Sequence, residues 1–142
     1  LAITFNIGSI IAYLSLSYKV DASLALLYLS CVFWTLGYDT IYGHQDKEYD
    51  KKIGVKSTSI FFEQHTYSAL ALFYIGMILC LIAIGALKHF DYLYFVVILC
   101  AAAHLLWQIY TLDKDSPEIC LRLFKSNTHL GAIVFFAFLS QI

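Results

Sequence analysis

Residues 67–87 read YSALALFYIGMILCLIAIGAL, twenty-one positions without a charge. A helix that crosses the hydrocarbon core of a bilayer needs about 20 predominantly apolar residues. This stretch therefore reads as a spanning helix. Four further apolar segments surround it, over residues 1–18, 22–42, 92–112 and 130–142. Segments 22–42 and 92–112 have full spanning length, whereas 1–18 lies near the lower limit. The last is short unless its helix begins near Phe124. Pro117, the one proline, falls between the fourth and fifth segments, where a helix start is expected.

Composition agrees. The 142 residues are 61% hydrophobic and 13% charged, where an average soluble domain is about 45–50% apolar and 25% charged. The apolar positions come in runs, without the ten-residue alternation of a transmembrane β-barrel. The expected fold class is all-α: a multi-pass transmembrane helical bundle of about five spanning helices, forming one membrane unit over residues 1–142. A net charge of −1 with no basic stripe argues against a nucleic-acid partner. With Leu1 first and no basic n-region, the expectation is a piece of a longer protein without a signal peptide. Cys31, Cys80, Cys100 and Cys120 are widely spaced, and read as packing residues rather than metal ligands or disulfides.

The connections differ in positive charge. The first and third carry one lysine each, Lys19 and Lys88. The second carries Lys47, Lys51, Lys52 and Lys56, and the fourth Lys114, Arg122 and Lys125. Alternate connections share a side, so the positive-inside rule puts the second and fourth on the cytoplasmic side, or on the matrix side in a mitochondrion. The N-terminus of the bundle is then inside and its C-terminus outside. The expected location is a cell inner membrane, with the mitochondrial inner membrane as the alternative.

The second connection holds most of the chemistry. Residues 38–58, YDTIYGHQDKEYDKKIGVKST, place Asp39, Asp46 and Asp50 at i, i+7 and i+11, which stack on one face of a helix. Three carboxylates on one face repel, and near a membrane each is costly to hold charged. A divalent cation among them would resolve both costs. Oxygen ligands without clustered His or Cys favour a hard ion such as Mg²⁺, completed by substrate phosphates, and Lys56 could contact those phosphates as a point charge. The bland alternative is a solvated connection whose carboxylate spacing is accidental; spacing does not decide between them.

The same stretch resembles the second aspartate-rich motif of the UbiA family of membrane prenyltransferases. Three further stretches agree in order: TFNIGSIIAY in the first segment, AHLLWQIYTLD in the fourth and RLFKSNTHLGAIVFF near the end. The resemblance makes the D-x-x-x-D pair Asp46 and Asp50 ligands of Mg²⁺ and diphosphate, with Asp39 as the motif's upstream aspartate. It makes Lys56 of GVKST a lysine near the diphosphate. Tyr49 stands where many relatives carry a third acidic residue. The first motif of the family, N-D-x-x-D-x-x-x-D, is not among these residues, so the chain resembles the C-terminal portion of a nine-helix bundle. Within the family the wording is nearest to members that prenylate 4-hydroxybenzoate for ubiquinone biosynthesis. The implied substrates are polyprenyl diphosphate and 4-hydroxybenzoate, the implied cofactor is Mg²⁺, and the implied partners are the bilayer and the missing N-terminal half. The alternatives are a relative with another acceptor (a naphthoate, homogentisate or haem), an inactive truncated fragment, or a transporter fragment with an acidic pathway.

Lesser candidates have plainer readings beside them. His104 and Gln108, four apart in the fourth segment, would line a cavity or, more simply, hydrogen-bond between helices. His44 would accept a proton or merely occupy a loop. Arg122 and Lys125 would hold a substrate carboxylate, but positive-inside topology already accounts for them.

Overall fold

The computed structural model describes residues 1–45, 54 and 58–142. Among them the regular elements are all helical: α1 (Ala2–Phe5), α2 (Ile7–Ser17), α3 (Ala22–Gly43), α4 (Thr58–Phe61), α5 (Thr66–Leu87), α6 (Tyr92–Thr111) and α7 (Pro117–Leu139). Helices α3, α5 and α6 are each long and apolar enough to cross a membrane.

The starts of three long helices are encoded locally. Asp21 Oδ1 accepts from the Leu24 N–H at 3.0 Å, and Asp91 Oδ1 from Leu93 N at 3.1 Å and Tyr94 N at 3.4 Å. Each satisfies amides that a first helical turn leaves open. Ser116 caps α7, with Pro117 at its first position as expected. Two ends use left-handed residues, Tyr18 (φ 52°) after α2 and His89 (φ 54°) after α5. At the latter, Phe90 N reaches back to the Gly85 carbonyl at 2.9 Å.

Two segments differ from the sequence expectation. Residues 1–18 do not form one helix, because the chain breaks at Asn6 between α1 and α2. The Asn6 amide donates to Ala2 O at 2.7 Å, to Thr35 Oγ1 at 2.8 Å and to Cys31 O at 3.2 Å. A short amide side chain can thus replace the helical ladder with bonds to a neighbour. The last helix does not begin at residue 130 or at Phe124 but at Pro117, and runs 23 residues. Glu118, Arg122, Lys125 and Asn127 lie in its first half, so its start reads as a connection when apolarity alone is followed.

Helices α3, α5, α6 and α7 close a four-membered ring in which each packs on its two neighbours, while α1 and α2 lie against α3. Ile41, Leu70, Met77, Leu81, Tyr94, Ile98, Leu105, Leu123 and Leu130 fill the middle. The α3–α5 seam is reciprocal. Gly37 of α3 leaves room for the Tyr74 ring of α5, and Gly76 of α5 for the Phe33 ring of α3. Such close approach through small residues is how helices associate where lipid removes the hydrophobic drive. Leu72, Ile75 and Leu79 of α5 and Val96, Leu99 and Leu106 of α6 face outward, exposed, an arrangement suited to lipid. Cys80 and Cys120 are buried free thiols, as packing residues should be, but Cys100 is exposed.

Contacts between connections fix the two ends. Lys88 Nζ pairs with Asp21 Oδ2 at 2.9 Å, so the first and third connections share one end. Lys114 Nζ donates to Glu63 O at 3.2 Å and Tyr67 OH to Leu112 O at 3.1 Å, so the second and fourth share the other.

Candidate functional site

Asp39 lies one turn before the C-terminal end of α3 and is partly buried. Its helix is fixed on two sides. Toward α7, Trp34 Nε1 donates to Asn127 Oδ1 at 2.8 Å, and Phe124 packs between Tyr38 and Tyr42, with ring centroids 5.8 and 4.7 Å away. Toward α1, Thr35, one turn before Asp39, receives the Asn6 amide. The Asp39 carboxylate itself forms no hydrogen bond or ion pair among the described residues. A partly buried carboxylate left in that state is costly unless something cationic meets it, so its chemistry fits a hard cation.

The other expected site residues, Asp46, Asp50 and Lys56, lie outside the described residues, as does Tyr49. The structure therefore places Asp39 alone of the set. Among the described residues, no three His, Cys, Asp or Glu side chains are grouped to hold a metal ion.

His44 is not a free loop histidine. It caps the end of α3 and is 4% exposed. Thr66 Oγ1 donates to Phe62 O at 3.0 Å and is left able to accept from His44 Nε2 at 3.0 Å. The end of the aspartate helix is thereby tied to the start of α5.

Gln108 takes the interhelical role. It is fully buried. Tyr74 OH donates to its Oε1 at 2.7 Å, and its Nε2 donates to Ser126 Oγ at 2.9 Å, which donates on to Leu123 O at 2.7 Å. His104 Nε2 lies 3.3 Å from Ser126 Oγ. Three helices are joined by one continuous chain of hydrogen bonds. The buried amide hinted at such a network; nothing in the sequence identified Tyr74 or Ser126 as its partners. Arg122 and Lys125, read as part of a connection, are instead exposed on α7 and face a groove shared with α6.

The sequence matches the UbiA prenyltransferase family over residues 1–139. The chain belongs to that family. Among curated proteins it is 43% identical over 136 residues to "4-hydroxybenzoate polyprenyltransferase, mitochondrial" of Homo sapiens, and 40% identical to the protein of that name in Bos taurus. It is also 40% identical to "4-hydroxybenzoate geranyltransferase 1" of Lithospermum erythrorhizon. Each alignment covers 95% of this chain, but only 37% of the two animal proteins and 44% of the plant one. No solved structure matches. The UbiA assignment agrees with an all-helical bundle whose aspartate-bearing helix is packed between α5 and α7.

Proposed function

We propose that this chain is the C-terminal portion, over residues 1–142, of a 4-hydroxybenzoate polyprenyltransferase serving ubiquinone biosynthesis. The observation that carries the reading is identity of 40–43% along 95% of the chain to proteins named for prenyl transfer to 4-hydroxybenzoate. Asp39 supports it, as a carboxylate with no hydrogen bond or ion pair among the described residues at the end of a well-anchored helix.

In this reading Asp39, Asp46 and Asp50 would hold Mg²⁺, which supplies charge neutralisation for the diphosphate leaving group. Lys56 adds a point charge to the same oxygens. The allylic C–O bond of the polyprenyl diphosphate breaks, a C–C bond forms ortho to the hydroxyl of 4-hydroxybenzoate, and the displaced ring proton and diphosphate depart. The apolar bundle keeps water from the allylic cation. The chain would sit in an inner membrane, bacterial or mitochondrial. The Asp39 end would face the cytoplasm or matrix, as the lysines of the second connection favour. The first aspartate motif would come from an N-terminal half.

The test is prenyl transfer to radiolabelled 4-hydroxybenzoate, in membranes containing this chain and Mg²⁺, with and without a co-expressed N-terminal half from a relative. Product only with the partner, and lost in Asp46→Ala or Asp50→Ala, supports the reading. Product from this chain alone would overturn the half-site, and no product in either arm would point to another acceptor or an inactive remnant.

A further inference from the structure

A cavity of about 770 Å³ is an open groove between α6 and α7, lined among others by His104, Trp107, Arg122, Lys125, Ser126 and His129. It lies away from the aspartate helix. At 100° per residue, Arg122, Lys125 and His129 stand between about 100° and 160° around α7 from Phe124, which packs on α3.

Its chemistry is that of a site for an anion carried on an apolar body. Arg122 and Lys125 form no hydrogen bond or ion pair among the described residues, and Glu118 beside them is not paired with either. Both cations fall within the first nine residues of α7, about 7.5 and 12 Å from its start, depths from which long basic side chains reach the headgroup layer. Trp107 and Leu121 add apolar wall on the side nearer the start of α7, level with or above the cations. The floor is held rigid by Ser126 and, behind it, Gln108. At this volume the groove is far larger than an aromatic acid requires.

We propose that the α6–α7 groove binds the phosphate headgroup of an anionic phospholipid, with Arg122 and Lys125 taking the phosphate and Trp107 beside them at the membrane surface. This site is independent of prenyl transfer.

The experiment measures lipid retained by the full-length protein containing this chain, purified into detergent without Mg²⁺ or substrate, by native mass spectrometry. Phosphatidylglycerol is compared with phosphatidylcholine. Phosphatidylglycerol should be retained preferentially, and Arg122→Gln or Lys125→Gln should each lower its occupancy about fivefold. Arg122→Lys should keep most of the lipid, and Lys19→Gln at the opposite end should change nothing. Circular dichroism establishes that each variant is folded; if a glutamine variant is not, competition by soluble glycerol phosphate on the unaltered protein gives the same reading. Equal retention of the two lipids, or equal loss in Lys19→Gln, would overturn the proposal. So would displacement by geranyl diphosphate, which would give the groove to the substrate. Photo-crosslinks from position 121 to the protein's own chain would give it to another segment. Since no turnover is measured, failure of the prenyl-transfer reading leaves this result unaffected.

Discussion

Trp34 and Asn127, 93 residues apart in sequence, share a 2.8 Å hydrogen bond that ties the aspartate helix α3 to α7. Interhelical bonds of this kind in membranes average about 0.6 kcal/mol and reach roughly 1.7. Trp34→Phe and Asn127→Leu should each destabilise the bundle, and a double-mutant cycle in detergent unfolding should return a coupling within that range. Strict additivity would mean that the bond is not made.

Gln108 should be less replaceable. Leucine would strand the Tyr74 hydroxyl and take away the donor to Ser126, both in the bundle interior. Orphaning a buried polar group costs about 1–3 kcal/mol. Gln108→Leu should therefore lower the unfolding midpoint more than Tyr74→Phe does. Adding Tyr74→Phe to Gln108→Leu should restore part of the loss, an outcome that independent sites would not give.

Two glycines, one in the α3–α5 seam and one in α2, make opposite forecasts for one substitution. A methyl group at Gly37 would run into the Tyr74 ring, and overpacking of this kind costs typically about 1–3 kcal/mol. At Gly8, in α2, an added Cβ meets nothing within 4 Å, and helix propensity favours alanine by up to about 1 kcal/mol. Thermal unfolding should place Gly37→Ala below the unaltered protein and Gly8→Ala at or above it.

The end away from Asp39 should respond to acid. The Lys88 ammonium, followed by the Tyr13 hydroxyl and the Leu24 amide, lowers the Asp21 carboxyl from 3.8 to about 2. Because the folded pKa is depressed, this contribution is complete above about 3.8 and is lost as pH falls toward 2. Both side chains are more than a third exposed, so added salt should blunt the effect. Carboxyl NMR should find Asp21 titrating higher in Lys88→Met, though still below its ordinary value because Tyr13 and the Leu24 amide remain; an unchanged titration would remove Lys88 as the cause.

Asp39→Asn keeps the side chain's shape and breaks no hydrogen bond among the described residues. It should leave folding intact while cutting prenyl transfer more than roughly tenfold, the loss that even an outer-sphere partner of a metal can produce. Full activity in this variant would remove Asp39 from the proposed ligands.

Legibility followed the kind of signal each element carries. Residues 67–87 announce α5 because length and apolarity suffice, and Pro117 marks the start of α7 through fixed local geometry. The polar first half of α7 hid its length, since Arg122 and Lys125 look the same on a helix as in a connection. The break at Asn6 was hidden because it depends on acceptors in α3. Asp39 stood out through the motif that the sequence resembles, and its lack of a hydrogen bond or ion pair among the described residues is visible only in three dimensions.

The hydrogen-bond chain from Tyr74 through Gln108 to Ser126 also bears on how the bundle assembles. Apolar helices inserted singly into a bilayer can pair in many rotations and slides of similar energy. Only one register of α5, α6 and α7 lets a single amide meet a phenol on one side and a hydroxyl on the other. The network thus favours the observed register over pairings that surface hydrophobicity would accept equally.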